Sequence, residues 1–210
     1  MLIGTGLLWV GWYGFNSGSA VAGDVIAANA FTTTTLATAT GAMVWALVEW
    51  VVKGKPTCLG YCSGAVAGLV VITPAAGYVN STGAMWIGLA AGTIPFFFVY
   101  KVKGWLGYDD ALDTFGVHAI GGTTGAIMTG ILADPGINAN LPTFLATQIS
   151  THVLWIEQVK AVGVTILLAC CGTAIIAYIL KFTIGLRPTP EEEEKGLDLT
   201  DHSEEGYILD

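Results

Sequence analysis

From Thr57 to Tyr100 the chain carries no charged side chain. That run is more than twice the about 20 residues with which one helix crosses a bilayer. A stretch this long without charge cannot be one crossing, and Pro74 through Gly83, with Gly77, Asn80 and Ser81, supplies the turn that divides it into two helices. The first carries Gly60, Gly64 and Gly68 and the second Gly88 and Gly92. Small residues four apart let helix backbones approach closely in lipid.

The same reasoning extends in both directions. Met1 to about Ala22 is free of charge and opens abruptly, without a basic flank or cleavage site. Val25 to Val48 gives a second span, rich in Thr from Thr32 to Thr40, whose hydroxyls can bond back to the preceding turn. It closes on Glu49-Trp50, Lys53, Lys55 and Pro56, an interfacial aromatic followed by basic residues and a helix break. Thr114 to Ala133 is again free of Asp, Glu, Lys and Arg, with Asp113 and Thr114 placed to cap it. After a polar loop, Asp134 to Pro142, a single long helix is expected from about Phe144 to Ile184, its start along or outside the membrane surface.

Six transmembrane segments result, in an all-α membrane protein. Residues 1–185 form its membrane domain and 186–210 an acidic tail. Lys53, Lys55, Lys101, Lys103, Lys181 and Arg187 fall in turns that share one side, which places the tail in the cytoplasm and the first segment running outward. Lys160 is the exception, explained by an interfacial start to the last helix. The net charge of −8 resides in the tail: from Glu191 onward there are nine acids against one Lys, and residues 1–190 balance at seven against seven. An acidic tail argues against a nucleic-acid partner. It is either a solvated, disordered end or a docking element. Cys58, Cys62, Cys170 and Cys171 lie in apolar stretches, where buried free thiols are the expectation and a zinc site is not. With no nucleophile–base pair, metal cluster or phosphate loop, neither an enzyme nor a cofactor is expected.

Two features carry chemistry. His118 lies inside a charge-free segment, where an imidazole is costly unless it meets a polar partner or faces a cavity. It is either a packed, hydrogen-bonded histidine or a functional one. Trp12, Phe15 and Ser19 recur at three- and four-residue spacing and form one stripe of the first helix. Such a stripe serves packing, or holds a small cation between ring faces and a hydroxyl.

Gly11-Trp-Tyr-Gly-Phe-Asn-Ser-Gly-Ser-Ala20 resembles a signature segment of the ammonium transporter (Amt/Rh) family. So do Glu49-Trp50 with Gly54-Lys-Pro56, Ser63 to Leu69 with Thr73-Pro-Ala-Ala-Gly77, and Asp113-Thr-Phe-Gly-Val-His118. The tail from Gly185-Leu-Arg-Pro188 to Glu204 is similar to the family's bacterial ending, departing from it at Ser203 and Gly206. The resemblance implies a homotrimer in a cell membrane, each subunit holding a pore between two inverted five-helix repeats with an eleventh helix across them. Ser19 then resembles the recruitment-site hydroxyl, Phe15 a gate ring, Trp12 the pore-wall tryptophan and His118 one of two facing pore histidines. Ammonium, or its analogue methylammonium, would be captured, deprotonated and passed as ammonia, with the proton relayed through imidazole. Gly196, Asp198, His202 and Glu204 would dock the tail near Lys53 and Lys55, on the face that receives a PII-type signal protein. The chain matches the second half of such a transporter, so the expectation is a C-terminal half that works with a first half. The alternatives are a non-conducting fragment, a membrane interaction module or an ammonium sensor.

Overall fold

The computed structural model describes residues 1–138 and 140–206, and among them there is no strand. Ten α-helices follow in order: α1 Leu2–Asn16, α2 Val25–Lys53, α3 Cys58–Ile72, α4 Ser81–Phe97, α5 Lys103–Leu106, α6 Gly121–Leu132, α7 Thr143–Ser150, α8 Leu154–Thr183, α9 Pro190–Lys195 and α10 Leu197–His202. Two compact units contain them, Met1–Val162 and Gly163–Asp210.

Helix ends in the first unit sit where polar side chains can satisfy them. Asp24 caps α2 by accepting from the amides of Ile26 and Ala27. Thr57 caps α3 through the Gly60 amide, and Asn80 caps α4 through that of Gly83. Gly54, at φ +82°, stops α2 in the left-handed conformation that glycine adopts without strain. The α2–α3 turn is closed by Glu49, a buried carboxylate that accepts from the Thr57 amide at 2.9 Å, the Thr57 hydroxyl at 3.0 Å and Lys53 Nζ at 3.1 Å.

Helix α2 is the centre of the bundle and packs on both α3 and α4. Glycine makes this possible. A Cβ added to Gly68 would lie 2.6 Å from Thr38 Cα, and one on Gly88 2.7 Å from the Ala37 carbonyl oxygen. The expected small-residue contacts are thus backbone-to-backbone crossings against one helix. Thr33, Thr34 and Thr38 are fully buried there, and Thr33 and Thr38 bond back to the carbonyls of Asn29 and Thr34 as expected. Around them lies a core of Ala37, Trp45, Val71, Ile72, Ile87 and Phe96.

Among the described residues, four helical stretches are long and apolar enough to cross a membrane: Val25–Lys53, Ser81–Leu106, Phe115–Leu132 and Leu154–Thr183. The second contains Pro95, which cannot donate to the ladder, and passes through a π-helical turn at Phe98–Val102 into α5. The remaining two of the six expected segments, α1 and α3, are 15 residues each. The single helix expected from Phe144 to Ile184 is instead two. Helix α7 ends at Ser150, and His152 adopts φ +56° before α8 begins at Leu154. The break brings the first turn of α8 onto α6, with the Trp155 backbone against Gly130, where a Cβ would have no room.

In the second unit, the acidic run is helical. Thr189 and Glu192 form a reciprocal capping box at the start of α9. Arg187 grips both carboxylate oxygens of Glu193, at 2.5 and 2.9 Å.

Candidate functional site

Helix α1 is fastened to its neighbours by side-chain hydrogen bonds rather than by an apolar stripe. Trp12 Nε1 donates to Thr73 Oγ1 at 2.7 Å, Asn16 Nδ2 to Thr34 Oγ1 at 2.9 Å, and the hydroxyls of Tyr13 and Thr35 are 2.9 Å apart. Tyr13 also stacks on Phe31 with centroids 4.0 Å apart. These bonds fix the rotation of α1: Trp12 is tied inward to the end of α3, and the Phe15 ring, 5.8 Å from that of Trp12 and tilted by 60°, is exposed. The two rings, with Leu7 and Leu8, line an open-sided cavity of about 480 Å³ whose walls are α1 residues alone, and Leu7, Leu8 and Phe15 are exposed there.

Ser19 sits one turn further on, in a short 3₁₀ turn, Gly18–Ala20. Its hydroxyl donates to the Phe15 carbonyl at 2.5 Å. The proton is therefore spent, and what Oγ offers outward is acceptor capacity only. Ser19 lines a separate pocket of about 260 Å³ with Asn16, Tyr78, Asn138 and Asn140. Asn138 is itself buried, donating to the Gly77 carbonyl and accepting from the Asn140 amide.

His118 lies in a π-helical turn, Phe115–Ile120, that leads into α6. The wider turn is seated by Gly116, whose Cβ would fall 2.6 Å from Val99 Cγ2. Such single-turn bulges recur at functional positions. The imidazole is exposed in this chain and lines a cleft of about 290 Å³ with Asp113, Cys62, Ser63 and Thr5. Trp12 and Phe15 therefore share one cavity and Ser19 reaches Phe15 through its hydroxyl, whereas His118 opens onto another cleft.

Asp113 does not cap the helix as expected. Asp110 does, one carboxylate oxygen accepting from the Thr114 amide at 2.9 Å and the other from Phe115 at 2.8 Å. Asp113 instead takes a left-handed φ of +56° and pairs with Lys103 Nζ at 2.7 Å. That turn of the backbone aims the carboxylate at the α4–α5 end and leaves the amides of the next helix to Asp110, three residues earlier. Two capping acids within four positions compete for the same amides, and the sequence signal does not rank them.

Lys53 and Lys55 flank Gly54 at the end of α2. Lys53 pairs with Glu49 and lies 5.1 Å from the Tyr100 ring centroid, while Lys55 is exposed. In the second unit Gly196 takes φ +100°, with Asp198 Oδ1 2.7 Å from where its Cβ would be. The Glu204 amide donates to the Asp198 carbonyl, and His202 ends α10. Ser203, where the resemblance calls for glycine, holds the left-handed φ of +55° that glycine would adopt freely. Among the described residues, no cluster of three or more His, Cys, Asp or Glu could hold a metal ion, and all four cysteines are free thiols.

A model described as the Ammonium Transporter Family matches residues 1–207. An ammonium transporter of Aquifex aeolicus is 47% identical over 207 residues, covering 99% of this chain and 48% of that protein. One of Bacillus subtilis is 44% identical over 205 residues, covering 98% of this chain and 50% of its own. The chain spans about half the length of the relatives it matches. Among solved structures, Candida albicans Mep2 superimposes with a TM-score of 0.78 at 32% identity, over 91% of this chain and 43% of that one. A Sensor Amt Protein superimposes with a TM-score of 0.84 at 28% identity, over 95% of this chain and 48% of that one.

Proposed function

We propose, because this chain belongs to the ammonium transporter family, that it forms the C-terminal half of a channel-like transporter of ammonium and ammonia. It is an all-helical, multi-pass membrane protein of a transporter family, not of an enzyme family. The observation that carries the proposal is the acceptor-only oxygen of Ser19 one helical turn from the Trp12–Phe15 ring pair. Ammonium has four donors and no acceptor, so an oxygen whose proton is already committed suits it, and ring faces add attraction for the cation. Beyond those rings the walls are apolar, and a bare cation there is costly. The ion gives up its proton, ammonia crosses the apolar section, and His118 passes the proton on as an imidazole able to bind and release it near neutral pH. Sodium has no proton to lose and is rejected by the same step.

In this reading residues 1–185 are the membrane part and 186–210 a cytoplasmic tail, in a cell-membrane homotrimer. Gly196, Asp198, His202 and Glu204 dock the tail toward the Lys53–Lys55 turn, the face open to a PII-type signal protein. Methylammonium uptake tests the proposal in cells lacking their own ammonium transporters, expressing the chain alone and then with any in-frame sequence upstream of Met1. Uptake only with the extension is expected; uptake in neither overturns the reading. The likeness to the Sensor Amt Protein favours a second reading, binding without passage. Saturable methylammonium binding with no uptake in either form would select it.

A further inference from the structure

The Trp12 indole has one hydrogen-bond donor, and the fold spends it on Thr73. Thr73 Oγ1 accepts from Trp12 Nε1 at 2.7 Å and donates to the Leu69 carbonyl at 2.7 Å. Because its only proton is committed to the end of α3, the hydroxyl can meet the indole solely as an acceptor. The bond joins residues 61 apart in sequence and fixes the ring about its long axis. The indole N–H therefore points into the α1–α3 contact, and the ring presents carbon to the cavity it shares with Phe15, Leu7 and Leu8.

We propose that Thr73 is a positioning residue for transport, holding the Trp12 N–H away from the open apolar face of α1 so that the ring adds no hydrogen-bonding group to it. The inference rests on the transport reading given above. An unpaired indole N–H is costly to leave buried. Released from Thr73, it would turn to the cavity and find a partner there in water or in ammonia itself. A donor on that face would hold the neutral molecule it should let pass. Thr73 would thus act on passage more than on capture, since the capturing oxygen of Ser19 lies in a different pocket.

The test uses three variants in the chain as its gene encodes it, with any upstream in-frame sequence. Thr73→Val keeps the shape and removes the acceptor, Thr73→Ser keeps the acceptor, and Trp12→Phe removes the donor. The ¹⁵N-labelled indole N–H of Trp12, assigned by its loss in Trp12→Phe, should shift upfield in Thr73→Val and stay in place in Thr73→Ser. Maximal methylammonium uptake should fall about tenfold in Thr73→Val, the loss of one buried hydrogen bond, a larger change than in half-saturation. Thr73→Ser should restore it, and Thr73→Val should cost nothing further in a Trp12→Phe background. A Thr73 that only finishes α3 would add its full effect in that background, and that result overturns the proposal. So does an indole resonance that does not move, or one that moves while uptake stays unchanged. Absence of uptake in the unmodified protein refutes the transport reading instead, and the resonance still reports whether the bond exists.

Discussion

Gly68→Ala should destabilise the bundle, because the added methyl group has nowhere to go. Its Cβ would lie 2.6 Å from Thr38 Cα and 2.8 Å from the Ala37 carbonyl oxygen, both backbone atoms of α2. Ordinary contact begins near 3.4 Å, so α2 and α3 must part by about 0.8 Å, and no side chain can swing aside to absorb it. Overpacking of this kind costs about 1–3 kcal/mol. Alanine returns about 0.5–1 kcal/mol as the better helix former, which leaves a net loss of about 0.5–2 kcal/mol, a factor of about 2 to 30 in the folded-to-unfolded ratio. Gly172→Ala, in α8, is the control, since nothing lies within 4 Å of its Cβ position. It keeps only the propensity gain. Reversible unfolding in mixed micelles, followed by far-ultraviolet circular dichroism, reads both variants on one scale. A Gly68→Ala chain as stable as the parent, or a Gly172→Ala chain equally damaged, would show that the close crossing of α2 and α3 is not what holds the bundle.

Other expectations concern single groups. Asp110→Ala should cost about 0.5–2 kcal/mol as a lost helix cap, and Asp113→Ala less than about 1 kcal/mol, because its pair with Lys103 is about one-third exposed; thermal unfolding that ranks them the other way returns the cap to Asp113. His118→Ala, in the full-length context, should abolish electrogenic transport while sparing assembly, and unchanged currents would remove the imidazole from the proton path. Ser19→Ala should raise the half-saturation for methylammonium more than it lowers maximal flux, and an unaltered half-saturation would argue against capture at that hydroxyl. The tail should respond to acid. Hydrogen bonds from Thr189 hold the Glu192 carboxyl below its ordinary value of 4.5, and the Arg187 guanidinium does the same for Glu193. Carboxyls with depressed values stabilise the folded form above 4.5 and lose that contribution as pH falls through their lowered values. Carbon-detected NMR of α9 should show its helical shifts fading only below pH 4.5, and fading already near neutrality would contradict those bonds.

Much of this architecture was readable because its causes are local. Gly54 marks the end of α2 and Asn80 the start of α4 through residues within a few positions, and Gly64 and Gly68 mark a close crossing by their four-residue spacing. The Trp12–Phe15 pair follows from helical spacing alone. The capping box was also written in the sequence, Thr189 followed three residues later by Glu192, although the surrounding acids suggested a solvated run. What could not be read depends on distant partners. Thr73 and Thr34 look like any other membrane threonines until the fold sets them beside Trp12 and Asn16. Glu49 reads as the end of a span and becomes the buried acceptor of the next helix cap. His152 breaks the last helix without a glycine or proline to announce it.

The unannounced features share a physical character. Val21, Asp113, His152 and Ser203 are the described non-glycine residues at positive φ, a conformation costing roughly 1–2 kcal/mol each. Local preference opposes Val21 and Ser203 most, whereas Asp and His enter this region more readily than other non-glycine residues. Three adjoin candidate residues: Val21 follows Ser19 by two positions, Asp113 shares the cleft with His118, and Ser203 follows His202. Strain of this kind persists where the rest of the structure over-determines a conformation, and it gathers at working sites. At Asp113 the gain is visible. The left-handed turn commits the carboxylate to Lys103 and leaves the helix amides to Asp110, just ahead of the π-helical turn that carries His118. The sequence displays the imidazole plainly, but which of Asp110 and Asp113 caps the turn ahead of it depends on a pairing with Lys103 that only the fold brings about.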